Sequence, residues 1–158
     1  MRLLCTALMA GALLFPATAQ DAKSLSCALL TKAEAADILG HSVMNGDDTA
    51  ETGGASSCAW VDEENFNAIS IQMERGEALQ GGSADAAFAA QKTALANAGT
   101  VEDLADFGVP AFVLTATGAP AETFTAIFAK GGALIIINVT GVPKNKTIAA
   151  AKIVAGRL

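Results

Sequence analysis

The chain has no tyrosine, one tryptophan and one histidine among its 158 residues. Proteins that bind sugars or single-stranded nucleic acids stack these ligands on exposed aromatic rings, so the shortage of rings disfavours both classes. A single histidine forms no metal cluster unless the fold brings cysteines or carboxylates to it. We therefore predict no metal and no other cofactor.

The usual catalytic motifs are missing as well. The sequence contains no Gly-x-Ser-x-Gly nucleophile elbow, no Walker A motif and no dinucleotide-binding glycine pattern. An enzyme would need the acidic cluster of Glu102, Asp103 and Asp106, or His41, to converge in one cleft with shifted pKa values. We predict a non-enzymatic protein, and keep an enzyme that uses these acidic residues as an alternative.

Basic residues and long hydrophobic runs are scarce. Ten Lys and Arg against 16 Asp and Glu give a net charge of −6. Nucleic acids and anionic membrane surfaces attract proteins through basic patches, so neither is a predicted partner. Beyond the N-terminus, the longest apolar run is residues 133–139, which has the length of a strand and predicts no membrane span.

The N-terminus has the three parts of a secretory signal peptide. Basic Arg2 precedes an apolar stretch over 3–15, and Ala17-Thr18-Ala19 is a small-x-small cleavage site. We predict a signal peptide over residues 1–19 and a single compact domain over 20–158. Cleavage near Ala19 would leave the protein in the periplasm or secreted.

Two cysteines remain after that cleavage, because Cys5 lies in the signal peptide. In an oxidising compartment Cys27 and Cys58 are expected to form a disulfide. The bond would close a loop of about 32 residues and stabilise the fold by about 3–4 kcal/mol in the chain-entropy model. The absence of Cys-x-x-Cys and of an adjacent histidine favours a structural bond over redox chemistry.

Helix and strand signals predict an α+β fold with the order α-β-β-α-β-β-β-α. The capping box Thr31–Glu34 begins the first helix, and Gly40 ends it. Short turns join consecutive strands, which predicts an antiparallel sheet of about five strands with helices packed on it. Residues 44–57 are expected to form a loop, and residues 101–110 an irregular stretch.

Two acidic groups form a candidate recognition surface, because loops carry most recognition residues. One group lies in the loop predicted over residues 44–57, and the other lies in the turn between the first two predicted strands. The spacing does not match a calcium-binding loop, and a solvated acidic surface is the alternative. The six residues are Asp47, Asp48, Glu51, Asp62, Glu63 and Glu64.

The cysteine and helix motifs resemble a family of small secreted or lipid-anchored bacterial domains of unknown function. Those domains read Cys-x-Leu-Leu-Thr-x-x-Glu, then Leu-Gly, and continue to a Cys-x-Trp strand. The matching residues here are 27–34, Leu39-Gly40 and Cys58-Ala59-Trp60. The resemblance implies a compact α+β domain with a disulfide between the first helix and the first strand. It implies no activity, and Ser24 stands where a lipid-anchored member has leucine.

We therefore predict an exported, monomeric binding or accessory module whose partner is an envelope protein or a glycan. One alternative is a carrier of a small apolar ligand. In that carrier four phenylalanines would line a groove between the helices and the sheet: Phe107, Phe112, Phe124 and Phe128.

Overall fold

The computed structural model describes residues 25–44, 47–50, 53–80, 82–118 and 121–158. The predicted signal peptide over 1–19 and the candidate Glu51 lie outside these residues. The helices are α1 (Leu25–Leu29), α2 (Lys32–Leu39), α3 (Ala84–Leu95) and α4 (Lys144–Gly156), with a short 3₁₀ helix at Gly76–Leu79. The strands are β1 (Asp47–Ala50), β2 (Ala55–Val61), β3 (Ala68–Glu74), β4 (Gly99–Asp103), β5 (Ala111–Ala116), β6 (Thr123–Lys130) and β7 (Ala133–Thr140).

The strands form one antiparallel sheet with the order β1-β2-β3-β7-β6-β5-β4. Two meanders, β1–β3 and β4–β7, meet where β3 pairs with β7. The chain reaches the far edge from β3 by passing α3 across one face of the sheet. The apolar strand β7 lies at the centre, which agrees with its apolar character on both faces.

The structure confirms the α+β class and the antiparallel sheet, but the expectation of about five strands is wrong. The two additional strands, β1 and β4, lie in segments predicted as loop and as irregular chain. Both are short, polar edge strands, so neither has the apolar alternation that identifies a half-buried strand. They are strands because their backbones pair with β2 and β5 in the folded protein. Helix α1, which precedes the predicted first helix, was not predicted.

Helices cover the two faces of the sheet unequally. On one face α1, α2 and α4 enclose the main core, which includes Trp60 at 4% exposure. On the opposite face α3 packs on the half of the sheet formed by β4 to β7. None of the helices in the described segments is long and apolar enough to cross a membrane.

The predicted disulfide is present and joins α1 to β2. Cys27 and Cys58 are bonded with their Cα atoms 5.1 Å apart. Beside the bond, the buried Ser26 hydroxyl donates to the Ser56 carbonyl oxygen at 2.8 Å. These links dock the short helix on the second strand, next to the edge of the sheet.

Candidate functional site

The loop that joins β2 to β3, residues 62–67, is closed by its own hydrogen bonds; we call it the hairpin loop. Asp62 N donates to the Asn67 carbonyl oxygen at 2.8 Å, and Phe66 N donates to the Asp62 carbonyl oxygen at 3.2 Å. Six residues are therefore closed by backbone hydrogen bonds at the end of a regular antiparallel pair.

The buried carboxylate of Asp62 organises this loop from within. Its Oδ1 accepts from the backbone N–H of Glu64 at 2.7 Å and of Asn65 at 3.2 Å. Its Oδ2 accepts from the side-chain amides of Asn65 at 3.3 Å and Asn67 at 3.4 Å. Four donors therefore compensate a charge on a residue that has no solvent exposure.

The pKa of Asp62 is set by two opposing effects. Burial raises it, but the hydrogen bonds from the backbone of Glu64 and Asn65 favour the ionised form more strongly. The Asn65 side chain and the nearby His41 ring lower the pKa further, so that it lies below its usual value of 3.8. Asp62 is thus an ionised structural anchor, and its carboxylate faces the loop rather than solvent.

His41 braces the loop from the outside. Its Nε2 lies 3.2 Å from Asn65 Nδ2, and its Nδ1 lies 3.2 Å from Glu64 Oε2. Because an amide nitrogen only donates, Nε2 accepts this hydrogen bond and Nδ1 carries the hydrogen that points to Glu64. Both ring nitrogens are therefore engaged in holding the loop.

Phe66 lies in this loop with two energetically unfavourable properties. Its side chain is 78% exposed, and its backbone has φ +57°. The left-handed region costs a residue with a Cβ about 1–2 kcal/mol. Such a conformation persists only where surrounding contacts impose it, and here the Asp62 hydrogen bonds do so. The fold thus holds an aromatic ring in solvent.

A second segment, residues 42–44, lies against the loop and adds to this surface. Met44 N donates to the Val61 carbonyl oxygen at 3.0 Å, and Glu63 N contacts the Ser42 carbonyl oxygen at 3.4 Å. The Met44 side chain is 47% exposed. The hairpin loop and this segment therefore present two apolar side chains together with the exposed Glu63 and Glu64.

Two more of the predicted recognition residues, Asp47 and Asp48, lie on the same half of the sheet. Asp47 and Asp48 belong to β1 and pair with Ala59 and Cys58. Ala59 precedes Asp62 by three residues, about 10 Å along a strand. Asp48 is exposed, whereas the side chain of Asp47 and all of Glu51 lie outside the described part of the structure. β-sheet pairing thus brings Asp47 and Asp48 to the strand that leads into the hairpin loop.

The acidic residues considered for catalysis lie far from His41. Glu102 and Asp103 belong to the edge strand β4 and pair with Lys144 at 2.7 Å and Lys92 at 2.6 Å. Five strand spacings, about 24 Å, separate β4 from β2. Asp106 lies in the loop after β4. Within the described residues no three His, Cys, Asp or Glu side chains are grouped so as to hold a metal ion.

Three of the four phenylalanines proposed to line a ligand groove are buried in the protein interior. Phe112 and Phe128 have no exposed surface, and Phe124 is 7% exposed. Phe107 packs on Phe128 with ring centroids 5.0 Å apart. Phe107 is partly buried and lines a groove of about 210 Å³ together with Glu102, Asp103 and Asp106. Another groove, of about 350 Å³, lies between α3 and strands β3 and β7.

Sequence reasoning missed Phe66 and Met44. The available signal was a single large aromatic residue in an otherwise polar turn, Asp-Glu-Glu-Asn-Phe-Asn. A ring at such a position has no partner on either strand, and it must either fold back or remain in solvent. The left-handed backbone that keeps the ring in solvent cannot be seen in a sequence.

Comparison with known proteins gives no relative. No protein-family model matches the chain, and no curated protein matches it. The residues that carry the family resemblance contribute to a helix cap, the disulfide and the core. Thr31 and Glu34 form the capping box of α2, Cys58 belongs to the disulfide, and Trp60 lies in the core.

Proposed function

We propose that the chain is an exported, non-enzymatic binding module that contacts a protein partner through the hairpin loop. The observation that carries the proposal is Phe66, an aromatic side chain 78% exposed on a left-handed backbone. Aromatic residues dominate the energetics of protein interfaces, and a ring held rigidly in solvent loses little entropy when a partner buries it.

The surroundings of Phe66 define the chemistry of the partner. Glu63 and Glu64 are exposed beside the ring, and the whole chain carries a net charge of −6. A complementary surface would have an apolar pocket for the ring with Lys or Arg at its rim. A glycan is less well supported, because the single Trp60 is buried and there is no tyrosine to stack on a sugar.

Export is part of the same proposal. The signal-type N-terminus and a structural disulfide are typical of proteins that fold outside the cytoplasm. The resemblance to small secreted bacterial domains agrees with this location, and membership of that family is also proposed. The expected compartment is the periplasm or the extracellular space.

Capture from a cell-envelope extract tests the proposal. The full-length protein, expressed with its own N-terminus, serves as bait beside the variants Phe66→Ala and Leu25→Ala. Leu25 is 58% exposed in α1, outside the hairpin loop, and provides the matched control for loss of an exposed apolar side chain. Mass spectrometry identifies what each bait retains.

We expect the wild type and Leu25→Ala to retain the same protein, and Phe66→Ala to lose most of it. Replacing Glu63 and Glu64 with lysine should weaken capture and make it less sensitive to salt. Equal capture by wild type and Phe66→Ala would overturn the proposal. Retention of a glycan in place of a protein would overturn the class of partner.

A further inference from the structure

A second non-glycine residue with a left-handed backbone lies at the groove between α3 and strands β3 and β7. Gln80 has φ +51°, follows the 3₁₀ helix and is exposed at the rim of the 350 Å³ groove. Backbone strain of this kind often marks binding sites, and pockets for small ligands begin at about 300 Å³. The groove lies on the α3 face of the sheet and does not involve the hairpin loop.

The groove exists because α3 presents alanines to this part of the sheet. Ala87, Ala90 and Ala94 are spaced three and four residues apart and therefore share one side of the helix. Their methyl groups are too short to fill the space above Leu79 and Leu134, which form the floor. The adjacent side of α3 is anchored by larger residues.

That anchoring keeps the groove open. Phe88 packs on Phe112 with ring centroids 5.3 Å apart, and Leu95 joins the same apolar cluster. One side of α3 is thus held against β5 and β6, while its alanine side lies over the groove. The helix does not need to tilt towards the floor to bury its apolar residues.

Three polar residues, one acidic and two neutral, border this apolar floor. Glu74, Gln80 and Gln91 border the groove, and within the described residues no lysine or arginine lines it. Among the residues that the structure describes, none forms an ion pair with Glu74 or donates a hydrogen bond to its side chain. Glu74 is half-buried and gives the groove a negative charge that no ion pair within the described residues neutralises.

We propose that the groove binds a small amphiphile with a primary ammonium group. The ammonium group would pair with Glu74 and donate to the amide oxygens of Gln80 or Gln91, while a short hydrocarbon chain lies on the alanines and leucines. A carboxylate at the same place would meet Glu74 at close range and be repelled. The site is separate from the proposed protein contact at Phe66.

Titration with n-octylamine, followed by amide NMR of the full-length protein, tests this assignment. n-Octanoate is the control of equal chain length and opposite charge. We expect saturable shifts in α3 and at the end of β3 with octylamine, at about millimolar affinity for a ligand of this size. Octanoate should produce no saturable shift there.

Three variants locate the site. Glu74→Gln should lower the octylamine affinity about tenfold, because a charged hydrogen bond becomes a neutral one. Ala90→Leu should fill the groove and abolish binding, with little effect on the helix because leucine is a good helix former. Glu122→Gln, the same chemical change in an exposed residue outside the groove, should leave the affinity unchanged.

Several results would overturn the proposal. Equal affinity for octylamine and octanoate would refute the charge selectivity. Unchanged binding by Glu74→Gln or by Ala90→Leu would show that the amine binds elsewhere on the acidic surface. Shifts that spread over the molecule without saturation would also show that the amine does not bind in the groove. Unaltered melting temperatures would confirm that the variants are folded.

Discussion

Asn65 donates two hydrogen bonds to Asp62, one from its backbone to Oδ1 at 3.2 Å and one from its side-chain amide to Oδ2 at 3.3 Å. The two residues are three positions apart, so their hydrogen bonds close the turn that follows β2. Phe66 follows directly in the chain. Its exposed position is therefore a consequence of the Asp62–Asn65 pair rather than of contacts made by the ring.

Replacing Asp62 with asparagine should destabilise the protein. If the asparagine oxygen keeps the hydrogen bonds from the backbone of Glu64 and Asn65, its amide nitrogen replaces Oδ2. That nitrogen cannot accept from Asn65 Nδ2 and Asn67 Nδ2, so donors would face donors in a buried site. Thermal unfolding followed by circular dichroism should show a lower melting temperature for Asp62→Asn. Glu63→Gln is the control, because the Glu63 side chain is exposed. If both variants melt like the wild type, Asp62 does not organise the loop.

Acid should weaken the fold through Glu34 and Asp62. A hydrogen bond from the Thr31 backbone lowers the pKa of Glu34 below its usual 4.5 despite some burial, and Arg157 at 2.6 Å adds to this. The pKa of Asp62 is also lowered in the folded protein. Each group thus stabilises the fold fully above its unfolded pKa, and this stabilisation is lost as pH falls through the lower folded pKa.

The variant Glu34→Gln tests this pH dependence. Urea unfolding should show a smaller loss of stability between about pH 5 and about pH 3 for Glu34→Gln than for the wild type. At pH 7 the variant should be less stable, because the reciprocal capping-box bond and the pair with Arg157 are weakened. Parallel acid curves for the two proteins would contradict the role of Glu34.

The disulfide should contribute substantially to stability. Cys27→Ser/Cys58→Ser should lower the free energy of unfolding by about 3–4 kcal/mol, because the unfolded chain regains the freedom of a long loop. Urea unfolding of the oxidised wild type, the reduced wild type and the double variant measures the effect. Reduction should have the same effect as mutation. Two reactive thiols in the oxidised wild type would refute the bond.

The acidic residues of the edge strand β4 should prevent self-association. Exposed strand edges pair with other chains unless charges oppose it, and Glu102 and Asp103 supply such charges. Glu102→Thr/Asp103→Thr should change stability by less than about 1 kcal/mol, since exposed ion pairs contribute little. Light scattering should show a mass that rises with concentration for the double variant, whereas we expect the wild type to remain monomeric. A monomeric double variant would contradict this function.

The sequence predicts those parts of the fold whose signal is local. The Thr31–Glu34 capping box, the alternation of Ile69, Ile71 and Met73, and the apolar run of β7 all correspond to observed elements. The edge strands β1 and β4 have no such pattern, because the backbones of β2 and β5 hold them. The sequence marks Asp62 as a candidate recognition residue, but its burial makes it a structural anchor, and only the tertiary structure shows this.

The left-handed residues show the same limit at the candidate sites. Nothing in the residue types of Phe66 or Gln80 indicates a positive φ, which glycine or asparagine would adopt more readily. Each conformation results from hydrogen bonds to groups elsewhere in its turn. The alanines of α3 are evident in the sequence as a helix pattern, but the groove depends on what lies beneath them.

The most direct test of the account is the variant Phe66→Gly, with stability and partner capture measured on the same preparation. Glycine removes the left-handed strain at an entropic cost, so the free energy of unfolding should be unchanged or higher by up to about 1 kcal/mol. Capture of the envelope protein should nevertheless be lost. A Phe66→Gly protein that captures its partner as well as the wild type would contradict the assignment of the hairpin loop as the binding site.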